Sequence, residues 1–418
     1  MPKTLDAYLH SDLVGQLIQD NHGEMVFDYA ESWLNNPDAI PLSHSLPLQK
    51  MRFTRKQCRA FFAGLLPEES KRELIAKNLG ISAKNDFTML EQIGGECAGA
   101  VTFVPAGTAL PEKNYSYREL SEKELASILK ELPRRPLLAG DEGIRLSLAG
   151  AQDKIPIYLA NGEISLPLGG APSTHILKPA NQHFEGVVFN EAFCMRLANA
   201  VGLLVAKVET GKAENIDYLL VERYDRMFVT TTPPGTTHIE RMHQEDFCQA
   251  MGIVSENKYQ AEGGPSLKQC FDLLREVSSA PVIDLQQLLD DVIFNYLIGN
   301  NDAHGKNFSL VYFEVEDQER RLSPYYDLLS TTYYPDLSKK MAMKIGGEYL
   351  SSKISPKHFE QLAEDAGLAK PIVRQRVPEL AKNVLNNLKN VKIGHKAAQE
   401  VAGLIRKKCE ETVDEFGG

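Results

Sequence analysis

Asp302 and Asn307 stand five residues apart in the polar run Gly299-Asn300-Asn301-Asp302-Ala303-His304-Gly305-Lys306-Asn307. A carboxylate that can take a hydroxyl proton, followed at that distance by an amide oxygen suited to a hard cation, is the D-x-x-x-x-N interval with which protein kinases hold a catalytic base and a metal-binding side chain. Asn, Asp and Gly also favour turns, so by itself the loop reads equally as a connection. Its place directly after a strongly patterned helix argues for chemistry, because a rigid element delivers a loop side chain to a fixed position. Downstream, Asp327 in Ser323-Pro324-Tyr325-Tyr326-Asp327-Leu328-Leu329-Ser330 offers a second hard oxygen. With the Asn307 amide it would suit Mg²⁺, which prefers oxygen ligands and keeps several waters. Alone, Asp327 is an ordinary turn acid.

Three pieces upstream fit the same chemistry. Ser147-Leu148-Ala149-Gly150-Ala151-Gln152-Asp153-Lys154 lies between the strand-like stretches Ile144 to Leu146 and Ile155 to Leu159 and reads as the small-residue loop of a hairpin. Small side chains let backbone N–H groups approach a phosphate, although a plain hairpin turn is the simpler account of the loop in isolation, and its spacing is not that of a Walker A motif. Thr174-His175-Ile176-Leu177-Lys178 is a short strand ending in a lysine, and a helix opens at Asn190-Glu191. The Lys178 ammonium can hold the α- and β-phosphates of a nucleotide while Glu191 fixes it. A solvated strand end and a first-turn acid favoured by the helix dipole would look the same separately. Tyr218-Leu219-Leu220-Val221-Glu222-Arg223-Tyr224-Asp225 is an apolar strand that turns abruptly polar, a hinge able to present backbone groups and an aromatic face to adenine. The chain order is phosphate loop, strand lysine, helix glutamate, hinge, buried helix, D-x-x-x-x-N loop and metal aspartate, which is the order of a protein kinase.

The elements that must position these groups are also legible. Leu285, Leu288, Leu289, Val292, Ile293, Tyr296 and Leu297 follow the i, i+3, i+4, i+7 stripe of a helix buried along one side. From Ile144 to Glu222 strand-like pieces dominate (Ile155 to Leu159, Glu163 to Leu166, His175 to Lys178, Tyr218 to Glu222), broken by a helix from Asn190 to Val201. Residues up to about Gly107 mix short apolar runs with a helical stretch near Phe61 to Leu79 and read as an α+β lobe. Pro111 to Pro136 is charged, with a helical pattern from Leu120 to Leu132, and reads as a connector. A polar turn is expected at Glu316 to Arg321, and Lys357 to Phe416 is helical and amphipathic, with Pro371 and Pro378 marking starts or breaks. The expected fold is α+β and bilobal, protein-kinase-like, with a β-rich N-terminal lobe and a mostly helical C-terminal lobe. The expected divisions are an N-terminal subdomain at 1–110, the connector at 111–140, a nucleotide-binding β-rich lobe at 141–240 and a helical catalytic lobe at 241–418.

Composition narrows the function classes. A chain of 418 residues exceeds what one hydrophobic core usually organises, and 43% hydrophobic with 24% charged residues is globular. No run approaches the ~20 apolar residues of a membrane span, and Met1 to Leu9, with Lys3 and Asp6, lacks an apolar signal core, so a cytoplasmic protein is expected. The six cysteines are scattered without a disulfide or zinc spacing. A formal charge of -10 argues against direct binding to nucleic acid, which needs surplus Lys and Arg; a DNA role would need a basic partner.

Taken together, the motifs resemble the HipA family of toxin kinases over most of the chain. They are Ser-Leu-Ala-Gly-Ala-Gln-Asp-Lys from 147, Thr-His-Ile-Leu-Lys from 174, Val-Glu-Arg-Tyr-Asp-Arg from 221, Gln-Glu-Asp-Phe-Cys-Gln from 244, Asn-Asp-Ala-His-Gly-Lys-Asn-Phe-Ser from 301 and Pro-Tyr-Tyr-Asp from 324. Leu46-Pro47-Leu48, Phe61 to Glu68 and Gly94 to Val101 look like that family's N-terminal lobe. The resemblance implies an ATP-dependent serine/threonine protein kinase with Asp302 as catalytic base and Asn307 and Asp327 on Mg²⁺. It implies that Lys178 holds the ATP phosphates and that further nucleotide contacts come from Ala149, Gly150, Ala151, Gln152, Lys154, Glu222, Arg223, Tyr224, Asp225, Gln244, His304, Lys306 and Tyr326. It also implies autophosphorylation at Ser147, which would switch the enzyme off by adding about -1.5 to -2 charges beside a loop meant for ATP phosphates. The implied partners are a HipB-like helix-turn-helix antitoxin and a protein substrate, an aminoacyl-tRNA synthetase such as glutamyl-tRNA synthetase, with DNA reached only through the antitoxin and no membrane. Ala303 and Gly305 stand where the best-known member carries Gly and Ala, a swap that alters loop freedom but keeps Asp302, His304, Lys306 and Asn307. A small-molecule kinase on the same lobe plan, or a co-repressor scaffold acting through a DNA-binding antitoxin, are the alternative readings.

Overall fold

The computed structural model describes residues 3–108, 110, 115–141, 143–181, 183–230, 237–313 and 319–416. The first part of the chain forms an antiparallel sheet of β1 (Lys3–Leu9), β2 (Asp12–Gln19), β3 (Met25–Tyr29) and, after α1 (Glu31–Leu34), α2 (Arg55–Gly64), α3 (Glu69–Leu79) and α4 (Asp86–Ile93), the returning β4 (Val101–Pro105), in the order β3-β2-β1-β4. Leu5, Ala7 and Leu9 alternate inward on β1, as do Met25, Phe27 and Tyr29 on β3, the period-two pattern of a sheet with one covered face. The helical stretch expected at Phe61 to Leu79 is two helices. The break falls at Leu65 to Glu68, where Pro67 lacks the N–H that would continue the ladder.

The second sheet has six strands in the order β5-β7-β6-β8-β10-β9. These are β5 (Ser116–Glu119), β6 (Ile155–Ala160), β7 (Glu163–Leu168), β8 (His175–Pro179), β9 (Val208–Ala213) and β10 (Ile216–Glu222), with α5 (Glu122–Glu131) and α6 (Val187–Ala200) between them in sequence. One face, including Ile155, Ile157, Leu177 and Leu220, buries against Leu125, Ala126, Ile128 and Leu129 of α5. The other, through Leu219 and Val221, packs toward α6. The connecting segment therefore also builds this sheet, since its strand β5 pairs with β7 and its helix covers one face; residues 111–114 at its start lie outside the described residues. The stretch Ile144 to Leu146 is not a strand of a hairpin. Its backbone is used by the first lobe instead, where Glu96 N–H donates to Arg145 O at 2.8 Å and Ser147 N–H donates to Glu96 O at 2.9 Å, so the loop that follows leans on that lobe.

The remainder comprises β11 (Arg226–Thr230), β12 (Thr237–Arg241), β13 (His243–Asp246), α7 (Phe247–Ala250), α8 (Leu267–Val277), α9 (Pro281–Ile298), β14 (Ser309–Phe313), β15 (Glu319–Leu322), β16 (Lys340–Ile345), β17 (Glu348–Leu350), α10 (Pro356–Asp365), α11 (Lys370–Asn387) and α12 (Lys396–Phe416). Residues 314–318 lie outside the described residues, which takes in the first half of the polar turn expected at Glu316 to Arg321; its second half, Glu319 to Arg321, is part of β15 instead. Every residue of α9 from Leu288 to Ile298 is buried, more than the single stripe implies, because α8, α11 and α12 surround it. Pro371 sits in the first turn of α11, whereas Pro378 lies inside it without ending it. All six cysteines are free and buried. Among the described residues no helix is long and apolar enough to cross a membrane.

One contact of α12 bears on the site. Gly186, at the N-cap of α6, has φ +72°, and a Cβ there would lie 2.4 Å from the Ala397 Cβ of α12; beside it the His395 ring stacks on Phe189 with centroids 4.0 Å apart. Gly186→Ala is therefore expected to cost about 2 to 4 kcal/mol, from left-handed backbone strain plus overpacking. A fall in the urea midpoint reads this, and an unchanged midpoint would show that α12 does not clamp α6.

Candidate active site

A cavity of about 780 Å³ opens between the six-stranded sheet and the helical lobe. Its lining includes Ala149 to Gln152, Lys154, Lys178, Glu191, Glu222 to Asp225, Gln244, Asp302, His304, Lys306, Asn307, Tyr326 and Asp327. These are all the site residues named from sequence except Ser147. That serine is buried behind the loop, its hydroxyl donating to Leu65 O at 2.8 Å.

Strand alternation puts Ile176 and Lys178 of β8 on the cavity side while Leu177 faces α5. The Lys178 ammonium donates to Glu191 Oε1 of α6 at 2.7 Å and also to Asp327 Oδ1. Burial opposes the charge on Lys178, but Asp327 and Glu191 outweigh it and raise the pKa above the usual lysine value. Asp327 is the converse case. Burial pushes its carboxyl up, yet Lys178 and Lys154 hold it down at about 2. Its backbone has φ +54°, in the left-handed region that Asp enters more readily than most residues but still at some strain. Glu191 has its pKa raised, chiefly by burial. Lys154 donates to Ala149 O at 2.8 Å, and burial holds its pKa below the lysine norm.

The loop carrying Asp302 starts where α9 ends on Gly299, φ +69°, the left-handed cap that glycine accommodates. Asn300 folds back on Asn295 Oδ1 at 2.7 Å, and its own side-chain oxygen receives Asp302 N–H at 3.1 Å. Thr331 Oγ1 takes Asn301 N–H at 2.7 Å, and Asn301 O takes Ala342 N–H at 2.7 Å. The Asp302 carboxylate reaches solvent at the cavity; the protein walls around it push its pKa up, opposed by the Tyr259 hydroxyl, which donates to Oδ1 at 2.8 Å, and by Lys258. His304 is driven down to about 3 by burial and by Lys258, so its imidazole is neutral at physiological pH, and among the described residues its Nδ1 has no hydrogen-bond partner. Lys306 pairs with Asp246 at 2.5 Å. Asn307 Oδ1 accepts a long bond from His304 N–H at 3.3 Å.

Among the described residues no group of three or more His, Cys, Asp or Glu is placed to hold a metal. An Mg²⁺ site completed by phosphate oxygens and water needs only one or two carboxylates. The ionised Asp327 and the Asn307 amide, on the walls of one cavity, are of the right hard-oxygen type.

At the hinge, Arg223 donates to Glu96 at 3.0 Å and to Asp225 at 2.8 Å, and Arg226 donates to Glu96 at 2.5 Å. Arg241 joins them, donating to Val101 O at 2.8 Å. The Arg223 and Asp225 side chains, both expected among the nucleotide contacts, are thus committed to a buried ion network that ties the hinge to the first lobe. The Tyr224 and Tyr326 rings stack at 5.6 Å on the same cavity wall, and Tyr224 OH meets Gln244 Oε1.

Sequence reasoning missed Glu68, Lys258 and Tyr259, all of which line the cavity, and the partners Glu96, Arg226 and Arg241. Glu68 sits 2.9 Å from Lys258 and 3.6 Å from Lys306. The usable signal was a lone carboxylate among apolar or small neighbours, as in Gly95-Glu96-Cys97-Ala98; a charge buried there requires a partner.

Residues 146–388 match the model of the HipA-like C-terminal domain, and residues 5–104 match that of the HipA N-terminal domain. The chain is 48% identical over 382 residues to the protein Y4mE of Sinorhizobium fredii, covering 90% of this chain and 89% of that one. It is 30% identical over 393 residues to the serine/threonine-protein kinase toxin HipA of Shewanella oneidensis, covering 91% and 87%. Its structure superimposes on a chain of the solved complex of Shewanella oneidensis HipA, HipB and operator DNA with a TM-score of 0.85 at 27% identity, over 99% of this chain and 98% of that one.

Glu96→Gln leaves the buried guanidinium groups of Arg223, Arg226 and Arg241 with Asp225 as their remaining carboxylate, and is expected to lower unfolding free energy by roughly 3 kcal/mol near neutral pH. Burial opposes ionisation of Glu96, but the arginines win and hold its pKa below the usual carboxylate range. Its contribution is therefore present above about pH 4.5 and is lost as the pH falls below that. Urea titrations should show the gap between wild type and variant narrowing in acid; a constant gap contradicts the network.

Proposed function

This chain belongs to the HipA family, and from that premise we propose that it transfers the γ-phosphoryl group of ATP to a serine or threonine hydroxyl of a protein. The convergence of the Lys178–Glu191 pair, Asp327 and Asp302 on one cavity carries this reading. Lys178, held by Glu191, would take the α- and β-phosphates, and the Ala149-to-Lys154 loop would cover them with backbone N–H groups and the Lys154 ammonium. Tyr224 and Tyr326 supply an aromatic wall for the base. Asp302 accepts the acceptor's proton as the acceptor oxygen bonds to Pγ and the bond from Pγ to the ADP oxygen breaks. Asn307 and Asp327 would hold Mg²⁺, whose contribution when bound is to neutralise phosphate charge. Since no covalent intermediate is required of the protein, its task is positioning and charge placement.

Self-inactivation at Ser147 is part of the proposal, and the packing supports it. The hydroxyl is buried against Leu65 O, so the loop must leave its seat before Ser147 meets a γ-phosphate. A dianionic group could not return to that site without a cation to pair with. The proposed restraining partner is a small HipB-like helix-turn-helix antitoxin, in keeping with the HipB and operator DNA in the related structure. With a net charge of -10, DNA contact would come through that partner. The proposed target is an aminoacyl-tRNA synthetase, and the proposed compartment is the cytoplasm.

With γ-labelled ATP and Mg²⁺, wild type should label protein, including Ser147, while Asp302→Ala should lose at least about 10²-fold in transfer rate with nucleotide binding retained. Equal labelling by the variant removes Asp302 from the chemistry, and label found on a metabolite instead of protein turns the assignment to a small-molecule kinase.

A further inference from the structure

We propose that Tyr259 stands in the acceptor's place: its phenol hydroxyl occupies the position on Asp302 that a substrate hydroxyl must take, and an acceptor enters by displacing it. The inference rests on Asp302 being the base of the proposed reaction and adds the residue that guards the acceptor side.

The geometry is that of an acceptor already bound. An O–H donates to Asp302 Oδ1 at 2.8 Å, as a serine or threonine hydroxyl would before giving up its proton. Both residues line the cavity. Among the described residues Tyr259 is the hydroxyl group that donates to this carboxylate. The phenol is a poor nucleophile in this setting, because burial and the neighbouring Asp302 charge keep its proton on, so it blocks rather than reacts.

Asp302 does not need Tyr259 to be placed. Its main chain is fixed by Asn300 Oδ1 and by the bonds of Asn301 to Thr331 and Ala342. Nor does the Tyr259 segment need Asp302. The residue lies between two short 3-10 turns, Ser255–Asn257 and Gln260–Glu262, and its neighbours are tethered on every side. Glu256 pairs with Arg59 of α2 at 2.5 Å, and Lys258 pairs with Glu68 at 2.9 Å and with Glu69 at 3.3 Å. Gln260 Oε1 receives Lys344 N–H of β16 at 2.8 Å. With both backbones held independently, the hydroxyl contact can be exchanged for that of an incoming acceptor by a side-chain rotation of a half-buried ring. The first lobe, through Arg59 and Glu68, sets where the strap lies.

Water is the simplest acceptor that tests this. In hydrolysis of Mg-ATP without protein acceptor, a water oxygen bonds to Pγ, the bond from Pγ to the ADP oxygen breaks, and the water proton goes to Asp302. Tyr259→Phe removes the competing hydroxyl and keeps the ring that packs edge-on to His304 at 5.4 Å beneath Lys258. Its hydrolysis rate is expected to rise about tenfold over wild type, the scale of one hydrogen bond to a charged group. A residue that merely orients the base or braces the loop would give a slower variant. An unchanged or reduced rate for Tyr259→Phe, in a wild type that still labels protein, overturns the inference and leaves the kinase reading standing. If instead wild type neither labels protein nor hydrolyses ATP faster than Asp302→Ala, the kinase reading falls and takes this one with it.

Discussion

The Lys178 ammonium sits between two carboxylates supplied by elements far apart in the chain, and much of the architecture serves that arrangement. An unpaired ammonium at that depth would cost several kcal/mol. The ion is tolerable only when α6 brings Glu191 to within 2.7 Å and the segment after β15 brings Asp327 to the other side. Each carboxylate has its own condition. Glu191 is positioned only while α6 is seated, which in turn requires a glycine at 186 under α12. Asp327 reaches Lys178 from a left-handed backbone, a local strain that the surrounding bonds, including Asn300 Nδ2 to Asp327 O at 3.4 Å, hold in place. The pair of opposed shifts, lysine up and aspartate down to about 2, is the electrostatic signature of that balance.

The first lobe, which contributes no residue to the proposed bond-making step, touches the walls of the cavity at three points. Leu65 O takes the Ser147 hydroxyl at the base of the loop. Glu96 anchors the hinge arginines. Glu68 reaches Lys258 and Lys306 on the far side of the cavity. A rigid-body shift of that lobe would therefore act at once on the loop, the hinge and the segment around Lys258 and Lys306. Such coupling would let the proposed partner, bound to this lobe, change the proposed activity without entering the cavity.

How much of this was legible in the sequence divides along physical lines. Local signals worked: the stripe on α9 and the strand residues around Lys178 depend on neighbours three to five positions away. The family resemblance joined the scattered motifs, and the bilobal α+β fold holds. What failed depended on distant partners. Ile144 to Leu146 has strand-like composition, but its backbone bonds to the segment at Glu96 rather than to Ile155, and no periodicity encodes which partner wins. The break inside Phe61 to Leu79 was signalled by Pro67, yet apolar spacing on both sides masked it. The ion network around Arg223 is similarly invisible, because charges separated by more than a hundred residues look like surface charges until they are buried together.

Of the cavity lysines Lys154, Lys178, Lys258 and Lys306, the first is the most open to the anion of the proposed reaction. Lys178, Lys258 and Lys306 each meet a carboxylate within the site, so an anionic ligand competes with an existing partner for them. Lys154 donates to a main-chain carbonyl, Ala149 O, and burial depresses its pKa. Among the described residues it is the one of these four lysines without an ion-paired carboxylate, so the polyphosphate of the proposed reaction would meet it without displacing an anion. The same loop begins at Ser147. The phosphate proposed for that serine would put a negative charge into the same loop that carries Lys154.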